Sequence, residues 1–294
     1  MNYYNNFDFT EACRLIKMAL KEDIGSGDIT TDNLIPAKHI STAKILLKED
    51  GIVSGLKIFK LVFDSIDSKD KETKIKFFVK DGDLCKKGTV IGELKGRTRT
   101  LLKGERTALN ILQRMCGIST LTNSFLKKLG SSKIKILDTR KTTPNFRLFE
   151  KLAVKIGGGT NHRIGLYDVM LIKDNHIEAN EGIENTLARL SIISRKSKKN
   201  YKVEIEVKNL FELMVVCSLG KGLVDIVMLD NFKIEHIKEA VKINKGLFKL
   251  EISGGININT ISDYSGIKGI DFISVGALTH SVKSLDISLD IMIN

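Results

Sequence analysis

Lys202-Val203-Glu204-Ile205-Glu206-Val207 is the first of four runs that decide the fold. Asp225-Ile226-Val227-Met228-Leu229-Asp230, Phe248-Lys249-Leu250-Glu251-Ile252-Ser253 and Asp271-Phe272-Ile273-Ser274-Val275-Gly276 follow, each starting 23 residues after the one before. All four are apolar and rich in β-branched residues. A helical pattern and a turn separate each from the next. Two runs of the same kind, Ile134–Asp138 and Val169–Lys173, precede them. Near-continuous apolar strands alternating with helices predict a parallel sheet with helices outside it. Six or seven such strands in about 150 residues predict an incomplete, six- or seven-stranded α/β barrel; a doubly wound open sheet is the alternative.

The first part of the chain has another rhythm. Asp8 to Glu22 predicts a helix with Phe9, Cys13, Ile16 and Leu20 on one face, and Asp8 with Glu11 resembles a capping box. Ala43–Leu47, Ile75–Val79 and Thr89–Leu94 predict strands, Asp81-Gly82 a hairpin-type turn, and Gly104 to Lys127 a long helix. This part reads as an α+β domain.

At 294 residues, with 42% hydrophobic and 28% charged residues, the chain can bury full cores and is not disordered. Cys13, Cys85, Cys116 and Cys217 show neither zinc-ligand nor redox-motif spacing, so free thiols in a reducing cytoplasm are expected. No apolar run reaches the roughly 20 residues of a membrane span, and Met1 to Asn6 lacks the pattern of a signal peptide. The net charge of +12 points to an anionic partner. Nucleic acid is disfavoured: only ten of the 47 basic residues are arginine, the lysines are scattered, and tryptophan is absent. The cluster Arg195-Lys196-Ser197-Lys198-Lys199 reads as solvated surface.

In an α/β barrel the chemistry gathers at the C-terminal ends of the strands. Here those ends read Asp138-Thr139-Arg140-Lys141, Lys173-Asp174-Asn175-His176, Glu204-Ile205-Glu206, Leu229-Asp230-Asn231, Ser253-Gly254-Gly255 and Val275-Gly276-Ala277. One part of the rim is cationic: Arg140, Lys141, His162, Arg163 and Lys173. So many cations in one pocket call for an anion of several charges, a dicarboxylate or a phosphate. Gly157-Gly158-Gly159, just ahead of Asn161-His162-Arg163, suggests that backbone approaches something closely. The later part is acidic, then glycine-rich. Glu206 and Asp230 suit sugar hydroxyls or a hydrated Mg²⁺. Ser253-Gly254-Gly255-Ile256 and Gly276-Ala277-Leu278-Thr279-His280 sit where a strand meets a helix, the place of a phosphate site. No covalent-nucleophile, paired-carboxylate or zinc motif is evident, so positioning and charge stabilisation should carry the chemistry.

Five stretches resemble one family: Glu22-Asp23-Ile24-Gly25-Ser26-Gly27-Asp28-Ile29-Thr30-Thr31, Gly104-Glu105-Arg106-Thr107-Ala108-Leu109-Asn110, Asp138-Thr139-Arg140-Lys141-Thr142-Thr143-Pro144, Gly157-Gly158-Gly159-Thr160-Asn161-His162-Arg163 and Lys173-Asp174-Asn175-His176. The family is nicotinate-nucleotide pyrophosphorylase, or quinolinate phosphoribosyltransferase. The resemblance runs over nearly the whole chain. It implies an N-terminal α/β sandwich domain at 1–115, joined by the C-terminal tail 281–294, and a barrel domain at 116–280. It implies the conversion of quinolinate and phosphoribosyl pyrophosphate into nicotinate mononucleotide, pyrophosphate and CO₂ with Mg²⁺, in de novo NAD synthesis.

By the family's pattern Arg106, Thr139, Arg140, His162, Arg163 and Lys173 would bind quinolinate. Lys141, Glu206 and Asp230 would be catalytic. Lys141, Glu206, Asp230, Ser253, Gly254, Gly255, Gly276 and His280 would bind phosphoribosyl pyrophosphate, with Glu206 and Asp230 holding the metal through water. Arg106 would reach the neighbouring subunit's site, which implies a homodimer, with a hexamer as a further assembly; neither nucleic acid nor membrane is expected as a partner. Asn145 stands where the family usually has glycine, and asparagine tolerates a left-handed backbone. Two other readings are a relative with another acidic substrate (the paralogue linked to molybdenum transport, or a nicotinate-specific transferase) and a nucleic-acid-binding protein.

Overall fold

The computed structural model describes residues 3–66, 72–131, 133–196 and 202–292. In chain order the elements are α1 (Phe9–Ile24), α2 (Ile29–Leu34), β1 (Ile40–Leu47), β2 (Gly51–Ile52), α3 (Leu56–Ile66), β3 (Lys74–Phe77), β4 (Leu84–Cys85), β5 (Val90–Arg97), α4 (Thr98–Leu129), β6 (Lys135–Leu137), α5 (Arg147–Ile156), β7 (Val169–Ile172), α6 (Asp174–Ala179), α7 (Ile183–Lys196), β8 (Lys202–Val207), α8 (Leu210–Leu219), β9 (Ile226–Asp230), α9 (Ile234–Asn244), β10 (Lys249–Ser253), β11 (Phe272–Ser274), α10 (Ala277–His280) and β12 (Ile287–Ile291). The basic cluster at 195–199 lies outside the described residues, apart from the backbone of its first two residues at the end of α7.

The chain divides into two compact units. The first comprises residues 1–123, 142–158 and 278–294; the second, 124–141 and 159–277. Against the expected domains, 1–115 with 281–294 and 116–280, the first unit also takes in 116–123, 142–158 (with α5) and 278–280.

The first unit is built on an antiparallel sheet of order β12-β1-β5-β3. Alternation makes β1 a half-buried strand: Ala43, Ile45 and Leu47 are fully buried and the residues between them are not. The last strand, β12, pairs with β1 from Ala43↔Ile291 to Leu47↔Ile287. Asp8 caps α1 by accepting the Glu11 N–H at 2.9 Å. Gly104 on α4 leaves room for Phe63 of α3, since a Cβ there would stand 2.7 Å from the ring.

The second unit holds the parallel sheet, of order β6-β11-β10-β9-β8-β7. The strands from β7 to β11 are neighbours in sequence order, and the first, β6, pairs with the last, β11. That cyclic order is a barrel's. A doubly wound sheet would reverse direction at a switch point. The ring stays incomplete between β6 and β7, where Thr160 adds one isolated parallel bridge to Leu137 on the free edge of β6. The core is aliphatic: Ile205, Val207, Val227, Leu229, Leu250 and Ile273 are inaccessible to solvent.

Candidate active site

Because the six strands are parallel, their C-terminal ends share one rim. The segment from Asn161 to Arg163 is fastened there by Asp138, a fully buried carboxylate. Its Oδ2 accepts from Asn161 Nδ2 at 2.6 Å and its Oδ1 from the His162 N–H at 2.9 Å. Arg163 is 8% exposed. Its Nη1 donates to the Val169 carbonyl at 3.2 Å, and its buried Nε has no protein partner. Burial, and next the neighbouring Arg140 charge, weaken this guanidinium's hold on its proton. Burial and the Arg140 charge outweigh the attraction of Glu204 and Asp168 for Arg163, so an added anion would be favoured at this mouth of the second unit. Thr139 Oγ1 accepts the Lys141 N–H at 3.0 Å, and Lys141 is exposed.

The acidic side adjoins this pocket through the sheet. Lys173, at the end of β7, places Nζ 3.3 Å from Glu206 Oε2 at the end of β8. Burial holds the Glu206 carboxyl above the usual carboxylate range; Lys173 works against that and Asp230, at the end of β9, adds to it. Asp230 Oδ2 accepts from Asn231 Nδ2 at 2.8 Å. Asn231 in turn donates its backbone N–H to the Ser253 carbonyl at 2.9 Å, which ties the ends of β9 and β10 together. Gly254 and Gly255 follow with φ of +97° and +63°, and a Cβ on Gly254 would lie 2.1 Å from Asn231 Oδ1. The glycines thus form a loop that only glycine fits. Gly276 follows β11. His280 belongs to the first unit, is exposed, and has Nδ1 2.6 Å from Ser281 Oγ. Arg106 is exposed on α4.

Two features read differently in three dimensions. Of the glycine run, Gly157 makes its close approach to the protein itself: a Cβ would stand 2.6 Å from the Ser119 carbonyl of α4. Asn145 takes φ of +59°, the left-handed conformation that the replaced glycine would supply. Other residues were missed in the sequence. Glu251 sits in the apolar run of β10, and Glu204 and Glu251 face His162, with Glu204 Oε2 3.1 Å from its Nε2. Glu150 on α5 is fully buried and accepts from Arg114 Nε at 3.0 Å, Arg114 Nη2 at 2.8 Å and Thr143 N at 3.0 Å. An acidic residue inside an apolar stretch was the available signal for both Glu251 and Glu150.

Comparison with known proteins turns this geometry into a family assignment. Residues 28–116 match the model for the quinolinate phosphoribosyl transferase N-terminal domain, and residues 118–290 match that for its C-terminal domain. The chain belongs to the quinolinate phosphoribosyltransferase family. A relative named probable nicotinate-nucleotide pyrophosphorylase [carboxylating] from Bacillus subtilis (strain 168) is 39% identical over 281 residues, covering 96% of this chain and 93% of its own. A chloroplastic nicotinate-nucleotide pyrophosphorylase from Arabidopsis thaliana is 40% identical over 94% of this chain and 82% of its own. Among solved structures, NadC from Streptococcus pyogenes superposes with a TM-score of 0.88 at 38% identity, covering 97% of this chain and 99% of that one. As a quinolinate phosphoribosyltransferase family member, the chain has the two-domain architecture expected of it: an antiparallel N-terminal sheet and a six-stranded parallel one. Among the described residues no helix is long and apolar enough to cross a membrane.

Proposed function

We propose that this chain is a decarboxylating quinolinate phosphoribosyltransferase, a pentosyltransferase of de novo NAD synthesis. It joins quinolinate to phosphoribosyl pyrophosphate and releases nicotinate mononucleotide, pyrophosphate and CO₂. The observation that carries this reading is Arg163, a buried guanidinium whose Nε has no protein partner and whose charge is opposed by burial first and by the neighbouring Arg140 second. A carboxylate of a planar dicarboxylate supplies the anionic fork that the Arg163 guanidinium can accept there.

In this reading Arg140, Arg163 and Lys173 hold the two carboxylates and Thr139 lines their pocket. The ring nitrogen then faces the ribose, whose hydroxyls Glu206 and Asp230 fix. Ser253, Gly254, Gly255 and Gly276 receive the 5′-phosphate on backbone N–H groups. As pyrophosphate leaves C1, positive charge develops on the ribose, and the two carboxylates stabilise it. Lys141, between the two substrates, counters the charge on the leaving group. Attack by the pyridine nitrogen makes the ring cationic, that cation stabilises the carbanion formed as the adjacent carboxylate departs as CO₂, and the carbanion takes up one proton from water to give nicotinate mononucleotide.

The donor set suits a hard cation. Glu206 and Asp230 are oxygen ligands, and Asp230 pushes the Glu206 carboxyl upward, a repulsion that a cation would relieve. Mg²⁺ held there, through water, would supply neutralisation of the pyrophosphate. The reading includes a homodimer in which exposed Arg106 of one protomer completes the partner's pocket, and hexamers as a further assembly. Four free thiols support a reducing, cytoplasmic setting.

The test is turnover. Quinolinate with phosphoribosyl pyrophosphate and Mg²⁺ yields nicotinate mononucleotide and CO₂ in equal amounts, and nicotinate in place of quinolinate yields no nucleotide. Product from nicotinate alone would overturn the assignment.

A further inference from the structure

Behind the cationic pocket lies a cluster that the reaction above does not use. His162, Glu204 of β8 and Glu251 of β10 have side chains 9%, 1% and 1% exposed. Their potential ligand atoms all lie within 4.8 Å of one another, a grouping that could hold a metal ion. The hydrogen bonding of the imidazole decides against a metal. His162 Nδ1 accepts the backbone N–H of Arg163 at 2.7 Å. A nitrogen that accepts carries no hydrogen, so in the neutral ring the hydrogen is on Nε2. Nε2 therefore donates. It lies 3.1 Å from Glu204 Oε2 and 3.6 Å from Glu251 Oε1, and has no lone pair left for a metal.

Two full carboxylate charges beside a neutral imidazole are costly in the barrel interior, even with the Arg163 charge acting on Glu204. Glu204 Oε1 and Glu251 Oε2 are both buried without a partner when neither carboxyl carries a hydrogen. One proton on Glu251, donated to Glu204, satisfies both atoms. The Ser274 hydroxyl of β11 donates to the other oxygen of Glu251. Burial first, and the Glu204 charge second, hold Glu251 far above the usual carboxylate range. Facing Glu251 are Glu204 from β8, His162 from the segment ahead of β7 and Ser274 from β11.

We propose that Glu251, in its protonated form, and Glu204 are positioning residues: a chain of hydrogen bonds from Glu251 through Glu204 and His162 to the Arg163 N–H sets the Arg163 guanidinium in the carboxylate pocket. His162 thus acts from behind the pocket, with both ring nitrogens turned to the protein, and not as a carboxylate ligand. The inference rests on the quinolinate reading for its kinetic consequence only; the tautomer stands without it.

The pH dependence has a definite sign. Deprotonation of Glu251 adds a negative charge behind Arg163, so quinolinate KM rises with pH. Between about pH 6.5 and pH 9 the substrate carboxylates stay ionised. Glu251→Ala should raise quinolinate KM roughly tenfold, as loss of a supporting hydrogen-bond partner does elsewhere, with kcat at saturating quinolinate within about threefold. Glu251→Gln, which mimics the neutral acid, should restore KM and abolish its alkaline rise. Nitrogen-15 NMR of labelled protein without substrate should show His162 Nδ1 as the unprotonated nitrogen. A protonated Nδ1, or an alkaline rise that survives in Glu251→Gln, would overturn the proposal. Should Glu251→Ala not fold, the Gln variant and the NMR spectrum still decide. Absence of quinolinate turnover in the parent with an unprotonated Nδ1 would sink the function and leave the hydrogen-bond chain intact.

Discussion

Replacing Arg163 by methionine separates binding from stability. The folded protein tolerates this guanidinium at a cost, because burial and the Arg140 charge both oppose it. Among the described residues its side chain gains one hydrogen bond, Nη1 to the Val169 carbonyl at 3.2 Å. Losing that bond costs about 1 kcal/mol, and removing the buried, repelled charge offsets it. Arg163→Met should therefore melt within about 3 °C of the parent, the shift that 1 kcal/mol produces in a domain of this size. Binding should behave otherwise. Removing one partner of a buried charge pair costs about 2–5 kcal/mol. At about 1.4 kcal/mol per factor of ten, quinolinate affinity should fall from about 30-fold to a few thousandfold. Titration calorimetry with quinolinate, paired with a circular-dichroism melt, reads both quantities on one preparation. A variant that binds quinolinate within threefold of the parent, or that melts far below it, refutes the reasoning.

Three further outcomes are expected. In Gly254→Ala the new methyl meets Asn231 at 2.1 Å in a φ +97° conformation, strain of about 1–3 kcal/mol; affinity for phosphoribosyl pyrophosphate should drop roughly tenfold while quinolinate calorimetry is unaltered. Gly117→Ala places a Cβ 2.2 Å from the Lys283 carbonyl, so overpacking of about 1–3 kcal/mol should lower Tm by about 3–10 °C and make the C-terminal tail more sensitive to limited proteolysis. Glu150→Gln leaves the Arg114 charge without its fully buried partner; a loss of about 3–5 kcal/mol should lower Tm by about 10 °C, measured by calorimetric scanning.

The barrel was legible because its signal is long and redundant. Lys202–Val207 is strand β8 to the residue, and the other runs differ from their strands by one or two residues at either end. In the first unit the alternation of β1 and the Asp8 cap of α1 were equally plain. The two-residue strands β2 and β4 are too short to show a period, and β12 has meaning only through its partner β1. At the rim, sequence order located the cations and carboxylates, since each follows an apolar strand. It did not distinguish residues that face a ligand from those that fasten their neighbours. Asp138 and His162 look alike on paper as polar rim residues, yet Asp138 is fully buried and pins the His162 backbone. Glu251 lies two residues before the end of its strand, where the apolar pattern concealed it, because burial in the barrel and the Glu204 carboxylate from β8, which hold it above the usual carboxylate range, exist only in the folded chain.

The pairing of β12 with β1 has a consequence for synthesis on the ribosome. Residues 287–291 are translated long after their partners at 43–47, so the nascent N-terminal sheet emerges with β1 as an open edge. The first unit can close only after residues 287–291 have left the ribosome. A chain cut short before Ile287 should therefore yield, instead of a slightly shortened enzyme, a protein whose exposed β1 backbone invites intermolecular pairing and inclusion bodies.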